Sequence, residues 1–385
     1  MRWSSAPISW RSRAVGEALE RPAPNAALRI EPPRSILVVR ALQLGDLLCA
    51  VPALRALRAA FPAACITLAG LPWAREFAAR FERYVDAFIE FPGLPGLPER
   101  ACEVEKVPQF IAEVRSRRFD LALQMHGSGQ LLNPLVALLG ARQCAGYCGE
   151  GACCPDPDRF LPWREDAHEI LRYLELLREL GLPASDPRLE FPLSAEDRAE
   201  RARLAAIHGL ERGRYVCLHP GSQLPSRRWP ARRFAAVGDR LAADGYRVVI
   251  TGTAAESTLT EEVAARMHHI AVDMTGATTL GALAALVEHA ALVVCNDTGI
   301  SHIAAAMKTP SVVVCCGSDF RRWAPLDRER HRVLYHPVAC RPCACRVCPI
   351  GHPCANGTEA DRVIAEAQRM LATFSNFDAS QACVG

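Results

Sequence analysis

The sequence predicts a parallel α/β protein built from two successive doubly wound units, and three observations carry that prediction. Short apolar runs alternate with helical patterns from residue 36 onward, the mark of βαβ units rather than hairpins. The alternation pauses in a segment rich in proline and charge, residues 183–192, and then restarts. Residues 290–316 read as strand, tight turn, small-residue helix and strand, a complete βαβ unit with its turn at the carboxyl end of a strand. Turns so placed lie at the mouth of an open parallel sheet, where such folds bind their ligands.

Composition narrows the class. A chain of 385 residues, half of them hydrophobic, is long enough for two or three globular domains. The net charge of +3 argues against nucleic acid as a partner. No apolar run reaches the roughly 20 residues a spanning helix needs. The first 34 residues carry scattered arginines and no hydrophobic core, so they do not read as a secretory signal, and the cytoplasm is the expected compartment. There, 17 cysteines read as reduced thiols or metal ligands before they read as a disulfide framework. Lysine occurs only at Lys106 and Lys308; the arginine excess fits phosphate handling and equally fits coding bias.

Taken in order, residues 1–34 are polar and broken by prolines, and are expected to form a flexible arm. Strand 36–39 leads through Gly45-Asp46 into a helix with Leu47, Val51, Leu54 and Phe61 on one side; Pro52 predicts that its regular part begins only near Val51. Strands are expected at 65–69, 87–91 and 121–125, with a helix at 108–118. Residues 146–162 read as irregular, and a helix at 167–180 ends at Gly181. In the second half, helices at 195–208, 231–243, 257–267 and 280–289 alternate with strands at 215–218, 247–251 and 270–274. The resulting organisation is an arm (1–34), a first unit (35–186), a second unit (187–372) and a tail (373–385).

Three strand-end turns of the second unit are rich in small polar residues: His219-Pro220-Gly221-Ser222, Thr251-Gly252-Thr253 and Asn296-Asp297-Thr298-Gly299. Parallel strands would open all three on one sheet edge, where glycine lets backbone approach an anion and hydroxyls add donors. Asp297 or Thr298 can cap the following helix, whose first N–H groups attract anions, and Thr298 and His302 share one helix face. Arg227 and Arg228 add guanidinium groups beside the same mouth. The pattern favours an anionic, diphosphate-bearing ligand. Each turn taken alone is equally an ordinary cap, His302 a satisfied core histidine, and the arginines a solvated pair. In the first unit, Asp46 can accept a proton from a hydroxyl or merely complement the helix dipole. Gly127-Ser128-Gly129 lacks the third glycine of a dinucleotide fingerprint, and no P-loop is present.

Three blocks, ILVVRALQLGDLLCAVPALRALRAAFP, HPGS with RRWP, and VCNDTGISHIAAAMKTPSVVV with GSDFRRWAP, resemble the glycosyltransferase family 9 heptosyltransferases, over about residues 35–371. That resemblance implies a GT-B fold, two Rossmann-like domains facing a cleft, with the acceptor side first and the nucleotide-sugar side second. It implies metal-independent, inverting transfer of heptose from ADP-heptose to a Kdo or heptose hydroxyl of the lipopolysaccharide inner core. Carried onto this sequence, it makes Asp46 the general base and Arg228 a donor-phosphate contact. Gly221 and Ser222 become the phosphate turn, Asp297, Thr298, Gly299 and His302 the donor-binding motif, and Glu256 the acid that meets the adenosine ribose. No cofactor is required on this reading. The acceptor would be a lipid-linked saccharide, which leaves peripheral contact with the inner membrane open. The other readings are a transferase of another nucleotide-sugar in surface polysaccharide assembly and a nucleotide-sugar-binding protein without activity.

Cys340, Cys343, Cys345, Cys348 and Cys354, with His352 nearby, form a dense segment; structural zinc, disulfides and buried thiols are its three readings. Cys144, Cys148, Cys153 and Cys154 form a second group.

Overall fold

The computed structural model describes residues 30–343 and 345–381. Two six-stranded sheets, each pairing parallel throughout, organise the chain. The first contains β1 (Ser35–Val39), β2 (Cys65–Gly70), β3 (Ala87–Glu90), β4 (Leu121–Gln124), β5 (Gln143–Cys148) and β6 (Phe160–Pro162). Around it lie α1 (Leu44–Ala60), α2 (Ala74–Arg80), α3 (Val107–Ser116), α4 (Leu132–Leu138) and α5 (Glu169–Glu179). The second contains β7 (Tyr215–His219), β8 (Arg247–Ile250), β9 (Val272–Asp273), β10 (Leu292–Asn296), β11 (Ser311–Val314) and β12 (His331–Leu334). Its helices are α6 (Ala195–His208), α7 (Ala231–Ala243), α8 (Ser257–Arg266), α9 (Leu280–His289), α10 (Gly299–Met307), α11 (Phe320–Trp323), α12 (Pro353–Asn356) and α13 (Ala360–Gln381).

The strand orders are β3-β2-β1-β4-β5-β6 and β12-β11-β10-β7-β8-β9. Each sheet therefore starts in its middle and reverses direction once, between β1 and β4 and between β7 and β10, the doubly wound order with a crevice at the reversal. β1 and β10 are buried along most or all of their length, as expected of parallel strands covered on both faces. The register sets Ile36 against Leu121 and Leu292 against Val216, which aligns the carboxyl ends of β1 with β4 and of β10 with β7.

Helices α6, α7 and α9 form at the expected bounds. Elsewhere, tertiary packing overrode the local pattern. α1 runs regularly from Leu44, with Pro52 inside it rather than at its start. An interior proline costs about 3 kcal/mol, but α1 is wedged between α5 and α10 and buries nine residues from Leu47 to Leu57, of which the leucines and Val51 contribute about 1.5–3 kcal/mol each. The 146–162 segment is not wholly irregular, because β5 pairs on β4 and β6 on β5, extending the first sheet there. The strand expected at 270–274 shrinks to Val272–Asp273, and Ile270 stands 97% exposed.

Residues 1–29 of the expected arm lie outside the described residues. Its last five do not hang free: Ile30 is buried, and the Arg34 and Ser35 amides donate to Asp120 Oδ2 at 2.9 and 3.1 Å. At the other end, α13 continues to Gln381, past the expected start of the tail. Residues 183–192 carry no helix or strand between the two units.

Candidate active site

Between the two sheets lies a cavity of about 590 Å³ that receives the ends of β1, β7, β8 and β10. Asp46, Ser222, Arg228, Glu256, Asp297, Thr298, Gly299 and His302 all line it. Gly221 does not line it but stands directly behind, where a Cβ would run into the Glu256 carboxylate. That close approach is what glycine permits there.

On the second-sheet wall, Asn296 is fully buried and ties the turns together. Its Nδ2 donates to Pro220 O at 2.7 Å and its Oδ1 accepts from Trp229 N at 2.9 Å, so the turn after β10 holds the turn after β7. Arg228 Nε donates to Ser222 O at 2.8 Å, which sets the guanidinium over the first turn. Glu256 Oε2 accepts from Thr253 N and Thr253 Oγ1, both at 2.9 Å, closing the turn after β8. His219 Nδ1 shares a 3.0 Å contact with Thr251 Oγ1, and burial lowers the pKa of its ring. Thr298 is the N-cap of α10, yet its hydroxyl makes no capping bond, which leaves an oxygen and the first N–H groups of the helix at the cavity. Asp297 is held from the side by the Ser318 hydroxyl; burial raises its pKa despite the Ser318 bond and Arg227 nearby.

The first-sheet wall differs. Asp46 sits in the first turn of α1 as the partner of Gln43 in a capping box, with Oδ2 accepting from Gln43 N at 3.1 Å. It thus both complements the helix terminus and faces the cavity, and the two sequence readings of Asp46 are compatible. Burial raises its pKa, and only part of that rise is offset by Arg40. Behind it, Arg40 is wholly buried and donates to Asp46 O from Nε and Nη2 at 2.9 and 2.6 Å, to Met125 O, and to Glu169 Oε1 at 3.1 Å. His302 closes the gap between the walls: it is buried on α10, its Nδ1 lies 3.7 Å from Cys49 Sγ on α1, and burial holds it down at about 4. A Cβ on Gly45 would come within 2.9 Å of the His302 ring, so the helices approach this closely only because position 45 is glycine.

Arg40, Glu169, Arg322 and Ser318 were not singled out from the sequence, and Asn296 was named only as part of its turn. A charged residue ending a four-residue apolar strand, as Arg40 does, was the one available signal. Asn296 and Ser318 look like ordinary turn residues until their partners are known.

Cys340, Cys343, Cys348, Cys354 and His352 surround a second, much smaller cavity. The zinc reading is not supported there. Among the described residues no three His, Cys, Asp or Glu side chains are placed to hold a metal. His352 Nε2 is 2.7 Å from Ser226 O, its backbone N donates to Cys348 Sγ at 3.2 Å, and Cys345 is exposed. The described cysteines are all free thiols. What the segment does is brace the larger cavity. Cys343 N donates to Gly317 O at 2.7 Å, Ser226 Oγ to Cys345 O, and Arg341 Nη1 to Ser318 O at 2.9 Å, reaching both the arginine turn and the support of Asp297. The second cysteine group lies in the first unit, around the end of β5. Among the described residues no helix is long and apolar enough to cross a membrane.

Known proteins share this fold. A solved glycosyltransferase family 9 protein from Veillonella parvula superposes with a TM-score of 0.73 at 22% identity, over 88% of this chain and 98% of that one. The Escherichia coli ADP-heptose lps heptosyltransferase II superposes at 0.67, also at 22% identity, over 89% and 99%. These likenesses establish the GT-B fold. In sequence, lipopolysaccharide heptosyltransferase 2 of Salmonella typhimurium is 25% identical over 247 residues, covering 60% of this chain and 67% of that protein. The family model described as glycosyltransferase family 9 (heptosyltransferase) matches residues 107–353. The chain is therefore a glycosyltransferase and belongs to glycosyltransferase family 9, the heptosyltransferases.

Proposed function

We propose that this protein transfers a heptose from ADP-heptose to a Kdo or heptose hydroxyl of the lipopolysaccharide inner core, by single displacement with inversion and without a catalytic metal. The observation that carries the reading is the opposition of Asp46, on one wall of the cavity, to the turns of Ser222, Arg228 and Thr298 on the other. The names of the Salmonella and Escherichia coli relatives support the choice of donor and pathway.

In this mechanism the acceptor hydroxyl gives its proton to Asp46 as its oxygen bonds to the anomeric carbon. The bond from that carbon to the diphosphate breaks, and ADP leaves with the electron pair. Negative charge grows on the diphosphate in the transition state, where Arg228, Arg227 and the N-terminal N–H groups of α10 stabilise it. A half-buried Asp46 with a raised pKa is the stronger base for the hydroxyl proton. Glu256 and Asp297 are the acceptors for donor hydroxyls, the former toward the ribose and the latter toward the sugar. A lipid-linked acceptor would bring the protein to the cytoplasmic face of the inner membrane as a peripheral visitor.

The test is mass spectrometry of products from purified protein, ADP-heptose and inner-core acceptors ending in Kdo or in heptose, with and without EDTA. A heptosylated acceptor and released ADP, undiminished by the chelator, are expected. ADP-heptose that binds in calorimetry but is never transferred to either acceptor would sink the assignment.

A further inference from the structure

A buried cluster behind Asp46 joins the two units, and nothing in the mechanism above uses it. Glu169, the first residue of α5, is fully buried, as is its partner Arg40. Its Oε1 accepts from Arg40 Nη2 at 3.1 Å and from the Tyr173 hydroxyl at 3.2 Å. Its Oε2 accepts from Arg322 Nε at 2.8 Å, and Arg322 belongs to α11 of the second unit. Residue 168 crosses the same seam: His168 Nδ1 accepts from Ile170 N, so the proton is on Nε2, which donates to Ala324 O at 2.8 Å. Arg322 also lies over Trp163 of the first unit and over Trp323, which lines the large cavity.

We propose that Glu169 is a positioning residue that clamps Arg40 on the acceptor side and Arg322 on the donor side, and thereby fixes Asp46 relative to the donor turns. Arg40 transmits the clamp, because the guanidinium that meets Glu169 also holds the Asp46 carbonyl and ties Met125 at the end of β4. Arg322 transmits it on the other side, because α11 follows the Ser318-Asp319 turn that supports Asp297. A carboxylate with no exposure survives here because three guanidinium groups face it, from Arg40, Arg172 and Arg322. Burial would push its pKa up; Arg40 and Arg322 outweigh burial and hold it at about 2, so Glu169 stays charged throughout the working range.

The clamp also leaves an electrostatic signature on Asp46. The charged groups that act most strongly on that carboxyl are Arg40 at the end of β1, Glu169 on α5 and Arg322 on α11, with Arg227, Arg228, Glu256 and Asp297 across the cavity. Cys49 and Tyr173 complete the surroundings as neutral groups, and so does His302, held down by burial. Glu169 raises the Asp46 pKa and Arg322 lowers it. Removing one or the other must therefore move it in opposite directions, which general loosening of the fold would not do.

This inference rests on Asp46 acting as the base, and its test separates the two. Full-length Glu169→Gln, Arg322→Met and Arg322→Lys are assayed for transfer from ADP-heptose across pH, with ADP affinity measured by calorimetry. Glu169→Gln and Arg322→Met are expected to lower kcat about 10- to 100-fold, the scale of a reacting group displaced by about 1 Å, while ADP affinity stays within about twofold. The acid limb of the kcat profile should move to lower pH in Glu169→Gln and to higher pH in Arg322→Met, with Arg322→Lys restoring part of the rate. Limbs that stay put or move together overturn the proposal. If Glu169→Gln does not fold, the direction of the Arg322→Met shift decides alone. If the parent protein transfers no heptose, the proposed function has failed, and the clamp is read by small-angle scattering instead: Arg322→Met must enlarge the radius of gyration, and an unchanged profile overturns it.

Discussion

The two sheets share a strand order but meet the cavity with opposite chemistry. At the reversal between β1 and β4, the wall is ionic: a buried arginine–glutamate pair supports one carboxyl, that of Asp46. At the reversal between β10 and β7, it is made of turns, hydroxyls and a helix terminus, stitched by the amide of Asn296. The first wall presents one proton acceptor in a setting that makes it more basic. The second presents hydroxyls, helix N–H groups and the guanidiniums of Arg227 and Arg228 toward one region. Identical topology therefore decides where chemistry can occur, and in the proposed mechanism side chains decide which wall receives a proton and which receives an anion.

The sharpest separation of the walls is expected from Asp46→Asn, which keeps an oxygen for the Gln43 amide and removes the base. Turnover should fall by about 10²- to 10⁴-fold, with ADP affinity in calorimetry within about twofold. Comparable turnover in the variant would show that the first wall supplies no base. Arg228→Ala should act on the other wall, weakening ADP binding by about 10- to 100-fold through loss of a charge-assisted contact. Unchanged ADP affinity would remove Arg228 from the anion site.

Gly221→Ala is a packing test of the second wall. Its Cβ meets the Glu256 carboxylate, so thermal unfolding should report a loss of about 1–3 kcal/mol, the usual cost of overpacking. An unaltered midpoint would mean that Glu256 moves aside freely.

The most diffuse effect, spread over several groups, comes from acidification. Burial holds His168, His302 and His331 at about 4, below the ordinary 6.5. The unfolded chain then binds more protons between those values, so the stability these residues contribute is present above 6.5 and lost as pH falls toward 4. Each should account for about 1.4 kcal/mol per pH unit crossed in that window. Glu169, depressed to about 2, adds its own loss only below about 4.5. Urea midpoints measured from pH 7 to pH 4.5 should drop, and His331→Gln should flatten the slope; a flat parent curve would show that these rings are already protonated in the folded state.

Much of this was legible in advance, for reasons that can be named. The strands β1, β7 and β10 are continuous apolar runs ended by polar turns, and such runs admit few other readings. Helix α6 carries its own boundaries, with the Ser194–Asp197 capping box at one end and Gly209 in the left-handed region at the other. The turns of Ser222 and Asp297 stood out because glycine and hydroxyls recur at strand ends. By contrast, β5 and β6 have mixed sequences that become strands only by pairing on β4 and on β5 in turn, and Pro52 stays helical only because α1 is packed on both sides. Glu169 gave no sign of its place, since an acid in the first turn of a helix is what the dipole favours anywhere. The cysteine segment suggested a metal by spacing; the backbone instead spends His352 and the loop on bracing Ser226 and Gly317.

By itself, then, the chain determined its class, its two-unit organisation, most helix bounds and the polar corners on which a phosphate could rest, because each follows from contacts among near neighbours in sequence. The tertiary structure alone decided that Asp46 faces those corners across one cavity, that Asn296 joins two of them, and that Glu169 holds a guanidinium from each unit. Those partners lie 67 to 153 positions apart. No local periodicity carries information over that distance. The pairing of β10 on β7 brings Asn296 to its partners, the first unit's own packing brings Arg40 to Glu169, and only the meeting of the two units brings Arg322 there.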